Sequence, residues 1–348
     1  MQRLGELTGS LEAAQRRSAF VEYCRAVALA GADGAPMEIL EGRLDARSLA
    51  RVEKAAVAAM TGTTHSALGM ADLGTEWLLD LERETVLGAL KRAGALPGPF
   101  DLPGTPVVTA NASAGWVGQG SAIPAANLTV STAALAPTKL ARILGISREL
   151  VRATDPRGLA MLDRQLRVAV KKAEDAALLG NAAAVANVNP AGLLAGLSGV
   201  SAGGPDPDIG SLVDAVRGGD PESPVFVCSA AGAAYLGTFA GFKDVSVAPT
   251  GGRLLGAPQV VSAACGSRLI CIDAASLVVA DGGVGVEQAG AASVRMDDAP
   301  AAGALTSAFQ SNLALIRIVR LVHWILGHSD GAAFIDLPVG GSPAGSPA

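Results

Sequence analysis

The feature of this sequence that most constrains its fold is a long segment without charge. From Leu102 to Thr138 there is no Asp, Glu, Lys, Arg or His, yet the segment is rich in Gly, Pro, Ser, Thr and Asn. Those turn-forming residues argue against a buried core strand. Alternating patterns on either side of Gly118, Gly120 and Pro124 predict a long two-stranded excursion with a glycine-rich tip. Because an isolated two-stranded ribbon is only marginally stable in water, we expect it to lie on other protein.

The composition of the whole chain agrees with a protein that contacts other protein over much of its surface. Charged residues make up 17% of the chain, against about 25% in an average globular protein. The net charge of −5 offers no basic footprint for sequence-specific nucleic-acid binding. The chain starts without a signal-peptide pattern and contains no apolar run long enough for a membrane span, so we expect no membrane contact and synthesis in the cytoplasm.

The remaining sequence predicts a mixture of helices and short strands. Residues 1–100 read as mostly helical until a proline-rich connection at 97–106. The clearest element is a helix that begins with Asp155 as N-cap and Pro156 at the first helical position, and stops at Gly180. Its apolar residues, at positions 159, 162, 166, 169, 170, 173 and 177, form one stripe. Short strands and helices follow, and together these patterns predict an α+β fold.

No catalytic, cofactor-binding or metal site is predicted. The histidines (His65, His323 and His328) have no recognisable nucleophile context, and the glycine-rich stretches match no phosphate-binding loop. The cysteines (Cys24, Cys228, Cys265 and Cys271) have no metal-ligand spacing and are interpreted as buried, reduced thiols. Neighbouring carboxylates are interpreted as solvent-facing: Glu174 with Asp175, and Asp297 with Asp298.

Several pieces of the chain, taken in order, point to one family. The uncharged stretch returns through "TKLARILGISREL"; the long helix ends in "AEDAALLGN"; "NPAGLL" follows at 189–194; then come "LLGAPQVVSAA" and a closing "FQSNLALIRIVRLVHW". Each piece is weak alone. In this order and spacing, over about 105–326, they resemble the major capsid proteins of tailed phages with the Hong Kong 97 fold.

The resemblance implies a specific architecture. It is a Hong Kong 97-type capsid fold with an N-terminal arm, an extended β-hairpin loop, a long spine helix, a peripheral domain and an axial domain. The implied boundaries are 1–100 for the arm, 101–138 for the loop, 139–195 and 292–335 for the peripheral domain with a spine helix at 155–179, 196–291 for the axial domain, and 336–348 for a flexible tail.

The resemblance also implies a function. It is that of a major capsid protein that self-assembles, as hexamers and pentamers, into the icosahedral shell enclosing a phage or prophage genome. The shell would enclose double-stranded DNA without sequence-specific binding and be built with separate scaffold, portal and decoration proteins. The protein would assemble in the cytoplasm of a bacterial host and reside in the virion. The alternatives are an encapsulin-type nanocompartment shell protein and, in a different class, a soluble oligomeric α/β enzyme.

In the family, the extended loop lies across the neighbouring subunit, which would explain the absence of charge, because burying unpaired charges in an interface is costly. The expected contact residues are Trp116, Val117, Gln119, Ile123 and Leu128, with Trp116 as the anchor because large aromatics dominate interface energetics.

Some family members cross-link a loop lysine to an asparagine, with help from a glutamate. Asn312 and Glu287 lie in the corresponding region here. The loop has no lysine, and the nearest, Lys139, is at its base. We therefore expect particles held together without covalent bonds between subunits.

Overall fold

A computed structural model describes about three fifths of the chain. The described residues are 77–98, 105–110, 116, 129–133, 135–147, 149, 156–186, 188–200, 208–238, 247–289, 292–296 and 305–339. The chain divides into two compact units. The first unit comprises 1–83, 139–171 and 282–321, and the second comprises 84–138, 172–281 and 322–348. The domain boundaries expected from the resemblance stay a prediction.

The described helices are α1 at 77–84, α2 Val86–Ala93, α3 Pro156–Leu178, α4 Ile209–Asp214 and α5 Ala230–Thr238. The strands up to the middle of the chain are β1 Leu96–Gly98, β2 Thr105–Ala110, β3 Thr129–Ala133, β4 Thr138–Ser147, β5 Pro224–Cys228 and β6 Gly252–Leu254. The later strands are β7 Ala257–Val261, β8 Arg268–Asp273, β9 Leu277–Ala289, β10 Ser293–Arg295, β11 Leu305–Ser307, β12 Leu313–Leu326 and β13 Ala332–Asp336.

These strands form two sheets and two ribbons. One sheet has the order β1-β9-β12-β4, and the other has the order β13-β8-β5-β7-β6. The pairs β2-β3 and β10-β11 are separate two-stranded ribbons. In the five-stranded sheet β5 is central, antiparallel to β8 and parallel to β7.

The second unit has apolar side chains packed on both faces of its five-stranded sheet. On one face Val225, Val227 and Ile270 pack with α2, the end of α3 and Trp324. On the other face Phe226 and Leu269 pack with α4 and α5. Successive residues of a strand point to opposite faces, so a strand covered on both sides is a continuous apolar run. This explains why β5 reads PVFVC and β8 contains LICI.

A buried carboxylate connects three elements of this core, and it corrects one interpretation of the sequence. Asp175 is 1% exposed, as is Glu174, so neither lies on the solvated face that the sequence suggested. The Val86 N–H donates to Asp175 Oδ1 at 3.0 Å, and the Ser262 hydroxyl donates to Asp175 Oδ2 at 2.8 Å. The negative charge therefore stands at the N-terminus of α2, where the helix dipole favours it. Local pattern could not reveal this, because both donors are distant in sequence.

The end of α3 is closed by the segment that returns over it. The predicted stop at Gly180 is confirmed, since α3 ends at Leu178. Leu193 N–H donates to the Leu178 carbonyl at 2.8 Å, and Leu194 N–H donates to the Gly180 carbonyl at 3.2 Å. A Cβ atom on Gly192 would lie 2.1 Å from the Gly180 carbonyl oxygen, so only glycine fits at this crossing. The "NPAGLL" motif is thus explained by backbone packing.

Some elements differ from the prediction. Within residues 1–100, predicted to be mostly helical, α1 and α2 are divided at Thr85, whose hydroxyl accepts from Gly88 N–H at 3.1 Å and caps α2. Strand β9 is longer than the short strands that the sequence predicted, because it continues through several glycines to Ala289. The apolar stripe of α3 is only partly covered within this chain, since Val170 is buried while Ala169 and Ala173 are exposed.

Candidate assembly surfaces

The uncharged segment contains the two-stranded ribbon that its sequence predicted. Strands β2 and β3 are antiparallel, with Val107 opposite Ser131 and Val108 opposite Val130. The register shifts between Val108 and Ala110, which marks a bulge. A bulge increases local twist and interrupts regular pairing. The ribbon forms a sheet of its own in the described part of the chain.

Of the five predicted contact residues, the structure describes Trp116. Its side chain is fully exposed. Val117, Gln119, Ile123 and Leu128 lie outside the described residues. Exposure of an entire indole ring leaves a large apolar surface in water, and such a surface marks an interaction site when it recurs in a patch. The position of Trp116 is therefore compatible with its predicted role as an anchor.

The end of the uncharged segment is anchored within the second unit. Leu135 is buried, and one of its methyl groups lies 2.8 Å from the position that a Cβ atom on Gly98 would take. The Thr138 hydroxyl donates to the Val322 carbonyl.

A second exposed apolar surface lies in the first unit and was not found from the sequence. Its members are Ile143 on β4, Met296 after β10 and Leu305 on β11, which line one groove and are all exposed. Each belongs to a short strand or turn whose pattern alone gives no reason for exposure. An apolar residue in a strand is normally assigned to the buried face, and only the pairing of the strands reveals which face is open.

The three described cysteine thiols are buried away from solvent. Burial raises the pKa of the Cys271 thiol to about 12, helped by the charge of Asp273. Burial also raises the pKa of Cys265 and of Cys228, so these thiols stay protonated at neutral pH. The prediction of buried free thiols is confirmed for these three cysteines, and Cys24 lies outside the described residues.

The remaining candidate groups are held in structural contacts. Burial lowers the pKa of His323, partly opposed by a hydrogen bond to the Ala136 backbone, so the ring is neutral near pH 7. The Asn312 amide donates to Glu149. The Glu287 side chain and residues 297–298 lie outside the described set. Among the described residues, no group of three or more His, Cys, Asp or Glu is placed to hold a metal ion.

Comparison with known proteins decides the family. A family model described as "Phage capsid family" matches residues 93–324, which is most of the chain. The chain belongs to the phage capsid family. None of the helices within the described ranges has the length and apolar character to cross a membrane.

A curated relative supports the assignment over a longer stretch. This capsid protein is 29% identical to the "Capsid polyprotein" of Pseudomonas phage PAJU2 in an alignment 317 residues long, and the alignment covers 82% of this chain. The same alignment covers 47% of that protein, so this chain spans about half the length of its relative.

Solved structures support the fold. A chain from Mycobacterium phage Bobi is 14% identical and matches with a TM-score of 0.52, covering 72% of this capsid protein and 90% of that chain. A chain from Microbacterium phage Oxtober96 is 12% identical and matches with a TM-score of 0.51, over 72% and 90% of the two chains. The capsid protein has the α+β, Hong Kong 97-type fold that its sequence predicted.

Proposed function

We propose that this capsid protein assembles with copies of itself, as hexamers and pentamers, into a closed icosahedral shell around a phage or prophage genome. The observation that carries the proposal is the fully exposed Trp116 within a segment that contains no charge, in a chain of the phage capsid family. Burying apolar surface stabilises by about 25 cal/mol per Å² before ordering costs. If a neighbouring copy covered this segment, no charged side chain of the segment would have to be removed from water.

The contact between copies is proposed to run through Trp116 together with Val117, Gln119, Ile123 and Leu128. In the sequence, these residues lie between strands β2 and β3. The ribbon's base is fixed by Leu135 and Thr138. The tip can therefore contact a neighbour while the subunit remains folded.

The protein is proposed to act without catalysis and without a cofactor. The three described thiols are buried and protonated, and the acidic pair at the end of α3 takes part in core contacts. A hydrolytic or redox role would need a nucleophile or a titratable group open to a substrate. The surroundings of these particular groups favour a structural role.

The partners proposed beyond the protein itself are a scaffold, a portal, decoration proteins and the enclosed double-stranded DNA. The net charge of −5 supports a shell that does not hold phosphate tightly, which would let the duplex move inward during packaging. Assembly is proposed to take place in the cytoplasm of the bacterial host.

Co-expression with the neighbouring genes, followed by negative-stain microscopy and sedimentation, tests the proposed function. We expect closed, uniform shells or free hexamers and pentamers, with little monomer. A protein that stays monomeric at every salt concentration would overturn the proposal. Shells that instead package a co-expressed enzyme would favour the nanocompartment alternative, and a discrete small oligomer with an open pocket would favour the enzyme alternative.

A further inference from the structure

Helix α3 carries positive charge along one face. Arg157, Arg164, Arg167 and Lys171 follow one another at intervals of seven, three and four residues. At 3.6 residues per turn, these intervals put all four positions on one side of the helix, which we call the basic stripe. From the first to the last of them the helix rises about 21 Å. All four residues belong to the first unit.

The described side chains of the basic stripe reach the solvent. Arg164 is exposed, and Arg167 and Lys171 are half-buried. Neither Arg164 nor Lys171 has an ion-pair partner among the residues that the structure describes. Arg167 already has an interaction within the chain, and Asp163 stands four residues before it, at a spacing that suits an ion pair. Arg164 and Lys171 are therefore the two cations of the stripe that can bind a ligand from outside the subunit.

The acidic residues near the end of the same helix do not offset this charge at the surface. Glu174 stands three residues after Lys171, where an ion pair within the helix would be possible by spacing. Glu174 and Asp175 are both 1% exposed instead, and Asp175 accepts hydrogen bonds from Val86 and Ser262 in the core of the second unit. The sequence of this half of α3 contains both signs of charge, but its buried charges are the negative ones.

The basic stripe lies in a strongly basic part of the chain. Residues 139–171 contain eight Lys or Arg and three Asp or Glu, a net charge of +5, whereas the whole chain has a net charge of −5. Positive charge concentrated in one segment is an electrostatic footprint that the net charge of the whole chain conceals. Because like charges three and four residues apart repel one another, an anion bound along the stripe stabilises the helix. The ligand is therefore negatively charged and extended.

We propose that the basic stripe binds the phosphate backbone of double-stranded DNA. A duplex carries about one negative charge per 1.7 Å of its axis, so the stripe faces roughly 12 phosphate charges along its length. Three of the four residues are arginine, whose guanidinium group can donate two parallel hydrogen bonds to one phosphate. Such contacts carry no sequence information. The inference rests on the proposed function, since the DNA in question is the genome inside the shell.

A DNA duplex fits the basic stripe better than an acidic protein segment does. Phosphates recur regularly along the duplex, so a straight row of cations can meet them in many registers. A specific protein partner usually needs a pocket for an anchoring side chain, and the groove of the first unit is lined by β4, β10 and β11 instead of α3. A few exchangeable phosphate contacts from each copy also let the duplex move during packaging.

The salt dependence of DNA binding tests the proposal on the purified full chain. Arg164→Gln combined with Lys171→Gln removes two cations of the stripe. The matched control is Arg92→Gln combined with Arg253→Gln, because both of these arginines are exposed and lie in the second unit. Fluorescence anisotropy with a labelled duplex gives the slope of log K against log salt. We expect the slope to become shallower by about 2 for each contacting subunit in the stripe variant, equally for duplexes of different sequence, and to stay the same in the control. Equal slopes in the two variants would overturn the proposal, and so would an absence of binding by the unmodified chain at low salt.

Cross-linking in filled particles identifies what lies against the basic stripe. Gln165 is exposed beside Arg164, so a photo-cross-linking amino acid there leaves every cation of the stripe in place. After nuclease digestion, mass spectrometry should find nucleotides attached to this position. Links only to protein, from another copy or from a scaffold, would overturn the proposal.

Microscopy and melting temperature separate this inference from the proposed function. The stripe variant should form shells and melt at the same temperature as the unmodified chain. Loss of shells with an unchanged melting temperature would show that the stripe binds protein, which would overturn the inference. If the unmodified chain forms no shells, the proposed function fails, whereas normal shells with unaltered DNA binding in the stripe variant overturn the inference alone.

Discussion

Strand β5 and the segment from Leu102 to Thr138 both lack charge, yet they meet different surroundings. Val225 and Val227 of β5 are fully buried inside their own unit. Trp116, in the other stretch, is fully exposed. The difference is that β5 has neighbouring strands and helices on both faces, whereas the ribbon β2-β3 is paired only with itself in the described residues. The absence of charge in a segment therefore does not by itself place that segment in the core of its own unit.

The largest expected effect comes from removing the tip of the ribbon. Deletion of Gly115–Ala126 leaves residues 111–114 and 127–128 to join β2 and β3, which is enough for a hairpin connection. We expect a folded subunit whose melting temperature changes by less than about 2 °C, and no shells. Sedimentation and circular dichroism measure the two properties separately. If the protein without Gly115–Ala126 does not fold, the segment belongs to the core and does not differ from β5 in its surroundings.

The same comparison can be made between two tryptophans, of which Trp324 is buried and Trp116 is exposed. Trp324 is 3% exposed and its indole N–H donates to the Ala191 carbonyl at 2.8 Å. Trp324→Ala should therefore lower the free energy of unfolding by about 3–5 kcal/mol. Trp116→Ala should leave that quantity unchanged and weaken each contact between copies by about 2 kcal/mol, or roughly 30-fold in affinity.

Denaturant unfolding measures the free energy of unfolding of the two tryptophan variants. The concentration dependence of assembly measures how tightly their copies bind one another. Equal losses of subunit stability in both variants would contradict the assignment of Trp116 to a surface between copies.

Asp175 tests whether the core of the second unit depends on one buried charge. Asp175→Ala removes acceptors for the Val86 N–H and the Ser262 hydroxyl, and we expect a loss of about 3 kcal/mol of stability, because buried donors are left unpaired. Ser262→Ala removes one of the two contacts and should cost about 1 kcal/mol. Thermal unfolding gives both values, and a smaller effect for Asp175→Ala than for Ser262→Ala would show that the carboxylate does not connect these elements.

The smallest expected effect is an absence of covalent bonds between subunits. The uncharged segment offers no lysine, and the Asn312 amide is engaged with Glu149. Boiled and reduced particles should run as a single band near or slightly below 34.6 kDa on a denaturing gel. A ladder of dimers and larger species would show a cross-link, and the contact between copies would then rest on more than apolar burial.

The elements that could be predicted from the sequence are those whose signals are local. Helix α3 has Pro156 at its first position and Gly180 after its end, so both limits followed from capping rules. Strand β5 was found because a covered strand is a continuous apolar run. Strand β13 was missed, since its role depends on pairing with β8, with Ala333 opposite Cys271. The burial of Asp175 was missed because its donors are 89 and 87 positions away.

The two candidate surfaces also differ in whether they could be predicted from the sequence. The uncharged ribbon was visible from the sequence, because charge content and turn residues are local properties of the chain. The groove between β4 and β10 was not, because its two edges come from parts of the chain that are about 150 residues apart.

By itself the sequence determined the family, the long helix and the existence of a long uncharged segment. The tertiary structure alone decided which strand edges are left open, which carboxylates are buried and where the glycine crossing at Gly192 forbids a side chain. The physical reason is that propensity, capping and charge content act between residues near in sequence. Strand pairing and burial depend on contacts between distant residues, which form only when the whole unit folds.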